Sequence, residues 1–271
     1  MTKTPQAATD EMPNLAEHLA PDVRCVGVFS GKGGVGKSLV TGLLAVAFAR
    51  KGHAVGILDA DLTGPSIPRM FGVHRAEGAE GDRITPARTR ELGIRIMSLN
   101  LLMEREDDPI IWRGPLVSKT LEQLVTDVDW SECRYLFVDL PPGTSDVPLT
   151  VMQRLPLNGM IVVSSPQELV GMIVRKAIKM AALMHVPVLG LVENMTHVIC
   201  PDCGARIDLF GGNDGHREAG AAGISLLATI PVDPALSGLC DNGRVESYGA
   251  NPFDRLVEAI DASLDSSGAE S

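Results

Sequence analysis

Residues 31–38 read GKGGVGKS and have the residue types and spacing of a phosphate-binding loop, G-x-x-x-x-G-K-[ST]. The glycines of such a loop let successive backbone N–H groups converge on phosphate oxygens, and the helix that follows adds positive potential. In this pattern Lys37 reaches the β- and γ-phosphates of a nucleotide, and Ser38 ligates Mg²⁺. We therefore predict that a nucleotide binds here. The predicted contact residues are Gly31, Lys32, Gly33, Gly34, Val35, Gly36, Lys37 and Ser38.

Carboxylates follow two further apolar runs. Asp59 and Asp61 come after residues 54–58, and Asp139 comes after residues 135–138. An aspartate at the end of a strand downstream of a phosphate-binding loop is the expected protein partner of Mg²⁺, so we predict that role for Asp139. Asp59 and Asp61 can divide two tasks, the support of Mg²⁺ through water and the orientation of an attacking water. Helix capping or turn formation is the purely structural alternative for this pair.

Cys200 and Cys203 form a C-x-x-C pair, a spacing at which two thiolates can chelate one metal. Two thiolates do not complete a tetrahedral site, and several hypotheses fit. Zinc could be bound with His197 and His216 as further ligands. A thioredoxin-like redox pair is a second hypothesis, although such a pair normally opens a helix. In a third, two subunits each give two thiolates to one iron–sulfur cluster, and in a fourth the thiols are free in a turn.

The remaining cysteines, Cys25, Cys133 and Cys240, bring the total to five, an odd number in a chain where we expect no export signal. A disulfide framework is therefore not expected. Cys25 lies within an apolar run and Cys133 lies just before one, so both are predicted to be small core residues. The surroundings of Cys240, rich in Gly, Asp and Asn, assign it no role.

The chain of 271 residues carries a formal net charge of −10, which argues against a general nucleic-acid-binding protein. No apolar run approaches the roughly 18 residues of a membrane span. The first residues contain Asp10 and Glu11 and no hydrophobic segment, so we expect no secretory signal and a cytoplasmic location. We therefore expect neither a nucleic acid nor a membrane among its partners.

The apolar runs must position these candidate residues, and from Val23 onward the runs alternate with helical patterns. Several runs are apolar on both sides, as in buried parallel strands, so the alternation predicts a doubly wound α/β fold, a mostly parallel sheet flanked by helices. Ligands of such sheets bind at the carboxyl ends of the strands, where the candidate residues lie. Strands are predicted at residues 24–29, 54–58, 94–99, 135–138, 159–163, 186–192 and 226–230. Helices are predicted near residues 39–51, 115–127, 148–154, 167–185, 214–222 and 252–264.

The pattern predicts a single domain over residues 23–264. Residues 1–22 are polar and contain three prolines, so we expect a disordered tail there, and we expect residues 265–271 to fray. The segment 72–90 is rich in Gly, Arg and Glu and is predicted to form an exposed loop.

The loop with its additional Lys32 resembles the deviant Walker A loop of the SIMIBI class of P-loop ATPases, which includes the septum-site ATPase and the nitrogenase iron protein. Further strings resemble the Mrp/Nbp35 iron–sulfur cluster carriers of this class in particular. The strings are residues 59–66 (DADLTGPS), 112–115 (WRGP), 139–144 (DLPPGT), 193–195 (ENM) and 200–203 (CPDC). The resemblance extends from about Val23 to Asn251, nearly the whole predicted domain.

The resemblance implies that the chain is a slow ATPase with ATP and Mg²⁺ as ligands. Lys32 would reach across a dimer interface to the nucleotide of the partner, and Lys37 would hold phosphates in its own subunit. Asp61 would orient the attacking water, with Asp59 and Asp139 near the metal.

The resemblance also implies an iron–sulfur cargo. Cys200 and Cys203 of two subunits would bridge one [4Fe–4S] cluster, which the carrier would transfer to apo iron–sulfur proteins. Asn194 would contact the adenine, and the loop that begins at Pro231 would flank the base. We thus expect a homodimer, or a heterodimer with a paralogue. Residues 1–22 contain no cysteine, so a second, N-terminal cluster is not expected.

Two other functions stay open. One is a positioning or partition ATPase, whose relatives need a basic face or a membrane-binding tail. The segment Phe253–Leu264 is amphipathic, but its acidic residues outnumber its single arginine, which disfavours a membrane anchor. The other is a zinc-stabilised nucleotide switch that transfers no cluster.

Overall fold

A computed structural model of the chain describes residues 15–61, 64, 66–80, 83–103, 114–144, 146–166, 170–210 and 215–267. The strands in these ranges are β1 Arg24–Phe29, β2 Val55–Asp59, β3 Gly78–Glu80, β4 Arg83–Thr85, β5 Ala87–Arg88, β6 Arg95–Ser98, β7 Tyr135–Asp139, β8 Gly159–Ser164, β9 Val188–Asn194, β10 His197–Ile199, β11 Arg206–Asp208 and β12 Leu226–Ile230. The α-helices are α1 Lys37–Arg50, α2 Ile67–Phe71, α3 Gly114–Thr126, α4 Asp146–Arg154, α5 Val170–Leu183, α6 Gly215–Ala221, α7 Pro234–Asp241 and α8 Val257–Ser267. Short 3₁₀ helices span Leu15–His18, Leu99–Leu102, Val245–Ser247 and Pro252–Arg255.

Eight strands form one sheet in the order β12-β9-β8-β1-β7-β2-β6-β5. Its neighbouring strands are parallel, except that β5 pairs antiparallel with β6 at one edge. The predicted doubly wound, mostly parallel α/β fold is confirmed. From β1 the chain fills the sheet in one direction through β2 and β6, and from β8 it fills the sheet in the other direction through β9 and β12. The strand order therefore reverses beside β1. Such a switch point opens a crevice for ligands at the carboxyl ends of the strands.

Helices cover both faces of the sheet, and each face has its own apolar core. The first core includes residues of α1, α2, α7 and α8, and the second includes residues of α3, α4, α5 and α6. Residues 40–48 of α1 are all buried, so this helix lies in the centre of the first core. Phe48 packs edge-on against Tyr135 and Phe137 of β7, with ring centroids 4.7 and 5.1 Å apart. This packing holds α1 against the strand that ends in Asp139.

The predicted strands are all present, with ends that differ by at most two residues. The predicted helices correspond to α1, α3, α4, α5 and α6 and, with a break at Leu256, to the last 3₁₀ helix and α8, while residues 167–169 lie outside the described ranges. The sequence pattern misses the five-residue α2 and α7, although Asp233 and Pro234 are a typical helix start for α7. Asp233 accepts a hydrogen bond from the Ala235 N–H at 2.8 Å. No helix in the described ranges is long and apolar enough to cross a bilayer.

The expectation of an exposed loop over residues 72–90 is wrong where β3, β4 and β5 lie, between residues 78 and 88. β3 and β4 pair antiparallel, and β5 adds the antiparallel edge of the main sheet. Ala87 and Thr89 are buried. The polar composition predicts a loop, but strands at the edge of a sheet keep many of their side chains in water. A segment rich in Arg and Glu can therefore still form edge strands.

The expected disordered tail over residues 1–22 is wrong in its described part. Leu15 and Leu19 are 2% and 8% exposed and pack into the second core, where the first 3₁₀ helix contacts α3. Burial of two leucines stabilises an otherwise polar segment. At the other end, Asp265 still belongs to α8 and pairs with Arg24. Residues 1–14 and 268–271 lie outside the described ranges.

Cys25 and Cys133 are buried, as predicted. Burial raises the pKa of the Cys25 thiol to about 12 and that of the Cys133 thiol to about 11. Both thiols therefore stay protonated at neutral pH and are unsuited to bind a metal as thiolates.

Candidate functional site

The phosphate-binding loop connects β1 to α1, and α1 begins within the loop at Lys37. Gly34 and Gly36 have φ angles of 79° and 83°, in the left-handed region that favours glycine. The Ser30 hydroxyl donates a hydrogen bond to the Lys32 carbonyl at 3.0 Å, which fixes the entry to the loop. The loop thus lies at the N-terminus of a 14-residue helix, whose first N–H groups and dipole favour a bound phosphate.

Asp139 is the charged centre of the site and is completely buried at the end of β7. Lys37 Nζ lies 2.7 Å from its Oδ1, and the Ser38 hydroxyl donates to its Oδ2 at 2.5 Å. The Thr41 hydroxyl lies 2.9 Å from Oδ1. Three groups of α1 thus hold one carboxylate beside the loop. The sequence motif does not include Thr41. The sequence could have indicated this residue, because Thr41 is a polar residue one helical turn after Lys37 in an otherwise apolar helix.

Asp59 ends β2, next to β7, and is paired in register with Asp139. It is completely buried, and its Oδ2 has no hydrogen-bond partner among the described residues. Burial, together with the negative charge of Asp139, raises the pKa of Asp59 well above its usual range. Asp61 donates its backbone N–H to Asp59 Oδ1 at 3.3 Å and places its own Oδ2 3.5 Å from Lys37 Nζ.

Three carboxylates therefore surround one buried lysine, which leaves the site with excess negative charge. In the described ranges no group of three or more acidic, histidine or cysteine side chains could hold a metal ion by itself. Mg²⁺ usually binds one or two carboxylates and completes its shell with water and substrate phosphates. Asp59 Oδ2, Asp139 and the Ser38 hydroxyl fit such an ion when a nucleotide supplies the remaining ligands.

The segment that follows Asp139 runs beside the phosphate-binding loop. The Leu140 N–H donates to the Val28 carbonyl at 3.0 Å, and the Gly143 N–H donates to the Ser30 carbonyl at 2.8 Å. Gly143 has a φ of 99°, which a residue with a side chain would adopt only under strain. These bonds hold residues 140–143 against the end of β1, where the loop begins.

Asn194 and Pro231 lie at the ends of two neighbouring strands. Asn194 ends β9 and is paired in register with Ile230, the last residue of β12, and Pro231 follows directly. Asn194 is 2% exposed and donates its side-chain amide to the Val35 carbonyl at 2.9 Å. The fold thus brings Asn194 into contact with the phosphate-binding loop, and Pro231 lies half-buried at the adjacent strand end.

Cys200 and Cys203 lie at the turn of the hairpin formed by β10 and β11, which we call the dithiol hairpin (residues 197–208). The Cys200 N–H donates to the Ala205 carbonyl, and the Gly204 N–H donates to the Cys200 carbonyl, both at 2.9 Å. Hydrogen bonds from the backbone N–H groups of Cys203 and Asp202 lower the pKa of the Cys200 thiol. This turn therefore favours a thiolate, the form of cysteine that binds metals.

The hairpin geometry bears on the four hypotheses for this pair. The cysteines lie between two strands and not at the start of a helix, unlike a thioredoxin-type pair. Among the described residues, neither His197 nor His216 joins the cysteines in a group that could hold a metal, so the zinc ligand set is not assembled. His216 instead lines a cavity of about 400 Å³ with Glu193. Among the described residues the two thiols therefore have no third metal ligand beside them.

Exposed apolar side chains are concentrated around the two cysteines. In the described part of the chain eight large apolar residues are exposed, and four of them lie in or just after the dithiol hairpin. These four are Ile199, Ile207, Leu209 and Phe210. Val232 is also exposed, and its N–H donates to the His197 carbonyl at 2.8 Å. Such a concentration is typical of a surface that contacts another protein molecule.

A family model described as ParA, NUBPL iron-transfer P-loop NTPase, matches residues 23–264. The chain belongs to this family. The match includes both the phosphate-binding loop and the dithiol hairpin, and the resemblance to iron–sulfur carrier ATPases is confirmed.

Two relatives of this NUBPL-family chain are named iron–sulfur cluster carrier proteins. The protein of Clostridium perfringens is 48% identical over 241 residues, which cover 86% of this chain and 84% of that protein. The protein of Methanocaldococcus jannaschii is 39% identical over 252 residues, which cover 91% of this chain and 87% of that protein. The similarity to both therefore extends over most of each chain.

Two solved structures resemble the NUBPL-family chain. The nucleotide-binding protein of Archaeoglobus fulgidus, in complex with ADP, is 42% identical with a TM-score of 0.79, and the alignment covers 89% of this chain and 95% of that one. The septum site-determining protein MinD of Pyrococcus horikoshii OT3, in complex with Mg-ADP, is 22% identical with a TM-score of 0.61 and coverages of 90% and 98%. The second similarity shows the shared fold alone.

Some residues of the resembling strings are not described. They are Leu62, Thr63, Pro65, Trp112 and Arg113. Lys32 is described, and its side chain is exposed. The roles assigned to individual residues of the loop, the carboxylates, Asn194, Pro231 and the cysteines stay predictions that the geometry above makes testable.

Proposed function

We propose that this NUBPL-family protein is an ATP-hydrolysing carrier that holds a [4Fe–4S] cluster between two copies of the chain and transfers it to apo iron–sulfur proteins. One observation carries the proposal. A phosphate-binding loop beside three carboxylates shares a chain with a two-thiol turn, to which the described residues add no third ligand. The names of the curated relatives support the iron–sulfur cargo.

In this proposal ATP and Mg²⁺ bind at the carboxyl ends of β1, β2 and β7. Lys37 exchanges its contact with Asp139 for the β- and γ-phosphates, while Ser38, Asp139 and Asp59 hold the ion. Asp61 orients the water that attacks the γ-phosphate. When bound there, Mg²⁺ would neutralise the charge that develops on the phosphate oxygens. Because these side chains are buried, their electrostatic interactions with the nucleotide are stronger than they would be in water.

Lys32 has a separate role in the proposal. Lys37 already fills the position beside Asp139, and the side chain of Lys32 is exposed. In the proposal Lys32 contacts the nucleotide of the second copy, which its exposure permits, so that nucleotide binding and the geometry of the dimer depend on each other.

The dithiol hairpins of two copies form the cluster site. Each iron of a [4Fe–4S] cluster takes one thiolate, so Cys200 and Cys203 of both copies supply the complete set. The exposed side chains of Ile199, Ile207 and Phe210 pack around the shared site and shield it from water. A cluster held between two chains is released when the chains move apart, which suits a carrier.

Anaerobic reconstitution tests the cluster site. We expect about four iron and four sulfide per two chains, the content of a single bridging cluster. The double variant Cys200→Ala/Cys203→Ala should lose this iron, and the control Cys240→Ala, altered at a half-buried thiol elsewhere, should keep it. Equal iron in the double variant would exclude the assignment. Zinc without iron in protein purified without oxygen would favour a zinc-stabilised switch.

ATP hydrolysis needs its own test. Lys37→Ala removes the buried ammonium from the loop and should abolish turnover, measured as phosphate release. Lys51→Ala is the matched control, because Lys51 lies at the other end of α1 and pairs with Glu258 on the surface. Turnover that survives in Lys37→Ala would exclude the loop from the mechanism.

A further inference from the structure

The end of β9 joins the phosphate-binding loop to the dithiol hairpin within one chain. Asn194, the last residue of β9, is 2% exposed and donates its side-chain amide to the Val35 carbonyl of the loop at 2.9 Å. The hairpin begins three residues later, at His197. A displacement of the loop backbone at Val35 therefore acts directly on the strand end that carries the cysteines.

The contact between β9 and the loop has no free space. A Cβ atom added to Gly36 would lie 2.1 Å from the Asn194 amide nitrogen and 3.8 Å from Met195 Cε. The distance to the Asn194 nitrogen is too short for any side chain at position 36, so the Asn194 amide already packs directly against the Gly36 backbone. Closely packed groups move together, because a gap or an overlap of a few tenths of an ångström has a cost in free energy.

The path from Asn194 to the cysteines is short and anchored. Met195 has a φ of 59°, a left-handed conformation that a residue with a side chain adopts only with strain. The Thr196 N–H donates to the Ile230 carbonyl at 3.0 Å, and the Val232 N–H donates to the His197 carbonyl at 2.8 Å. The base of the hairpin is thus fixed to the end of β12, and the sharp turn at Met195 lies between this anchor and Asn194.

We infer that Asn194 is a positioning residue that transmits the nucleotide state of the loop to Cys200 and Cys203 of the same chain. Phosphate binding turns the loop N–H groups toward the ligand, and the Val35 carbonyl and the Asn194 amide move together. The turn at Met195 converts this movement into a rotation of the hairpin base. The inference rests on the proposed nucleotide site, and it differs from the Lys32 contact because it needs no second copy.

Thiol alkylation in metal-free, reduced protein tests the inference without a cluster. The rates at which iodoacetamide modifies Cys200 and Cys203 are measured by peptide mass spectrometry, without nucleotide and with saturating Mg·ADP whose occupancy is verified. In the wild type we expect the rates to change by about threefold or more on nucleotide binding. Cys240 is the internal reference, and its rate should change little.

Two variants locate the path. Asn194→Ala, at verified nucleotide occupancy, should bring the ratio of rates with and without nucleotide close to one. Met195→Gly keeps the Asn194 contact but relaxes the left-handed turn, and it should reduce the ratio while the protein stays folded. This second variant keeps the test valid if Asn194→Ala does not fold. Dilution to the monomer should leave the wild-type ratio unchanged, because the path lies within one chain.

Three outcomes would overturn the inference. In the first, nucleotide leaves the wild-type rates unchanged. In the second, Asn194→Ala and Met195→Gly both respond as the wild type does. In the third, dilution to the monomer abolishes the response, which would assign the coupling to the dimer. Because the assay contains no iron, its failure is separate from a failure of cluster binding.

Discussion

Replacing Asp59 by asparagine should stabilise the protein when Mg²⁺ and nucleotide are absent. Asp59 is completely buried, its Oδ2 has no hydrogen-bond partner among the described residues, and the Asp139 carboxylate ends the adjacent strand. The asparagine would keep the shape of the side chain and remove one negative charge from a site where three carboxylates surround Lys37.

The magnitude follows from the sheet geometry. Neighbouring strands lie about 4.8 Å apart. Two like charges about 5 Å apart repel by about 3 kcal/mol at an effective dielectric constant of about 20. Lys37 offsets part of this repulsion, which leaves a net gain of about 1–2 kcal/mol for Asp59→Asn. For a domain of this size the gain corresponds to a rise in Tm of about 2–8 °C.

The stability gained by Asp59→Asn should increase as the pH rises. Burial and Asp139 raise the pKa of Asp59 in the folded protein. A carboxyl group whose pKa is higher in the folded than in the unfolded protein contributes its full stability below its pKa in the unfolded chain, about 3.9. This stability is lost as the pH rises through the pKa of the group in the folded protein. The wild type therefore loses stability relative to Asp59→Asn as the pH rises, so the difference in Tm should be small at acidic pH and largest at about pH 8.

The assay is thermal unfolding by circular dichroism after removal of metal and nucleotide, at several pH values. Asp139→Asn is the matched control, because Asp139 is also buried but is held by Lys37, Ser38 and Thr41. This control should be destabilised by about 3 kcal/mol or more, since it leaves a buried lysine without its nearest carboxylate. A Tm for Asp59→Asn below that of the wild type at pH 8 would refute the electrostatic reasoning.

Three further changes are expected to have measurable effects. Thr41→Val removes the hydroxyl 2.9 Å from Asp139 and should lower the free energy of unfolding in urea by about 1–2 kcal/mol and slow ATP hydrolysis. Gly36→Ala places a Cβ 2.1 Å from the Asn194 amide at a φ of 83°, and calorimetry should detect no nucleotide binding, whereas Gly249→Ala, with open space around the added Cβ, should bind normally. Glu246→Ala removes a buried carboxylate that accepts hydrogen bonds from one threonine hydroxyl and two backbone N–H groups, and urea unfolding should show a loss of about 2–3 kcal/mol. Unchanged unfolding energies for the first and third variants, or normal binding by the second, would contradict these contacts.

Local sequence patterns were sufficient to predict the strands and helices that carry the candidate site. The phosphate-binding loop can be predicted from the sequence because its glycines, lysine and serine all lie within eight consecutive residues. The parallel strands are readable because burial on both faces requires continuous apolar runs. The same rules fail between residues 78 and 88, where strands with polar side chains look like a loop. They also miss the short α2 and α7, the second of which begins in the segment after Pro231 that is predicted to be a loop.

The interactions within the site depend on contacts between residues that are far apart in the chain. Thr41 is 98 positions from Asp139, and Asn194 is 159 positions from Val35, so no local pattern indicates that these pairs touch. The raised pKa of Asp59 likewise arises from burial and from the neighbouring strand, and neither is visible in the residues around it.

The sequence by itself determined that this protein has a P-loop α/β domain with a nucleotide loop, strand-end carboxylates and a C-x-x-C pair, because these features are short and act locally. Only the tertiary structure decided which carboxylate is held by α1, that the cysteines lie on a hairpin without a third described ligand, and that Asn194 connects this hairpin to the loop. The physical reason is that the order of strands in the sheet, not their order in the chain, sets which strand ends are neighbours.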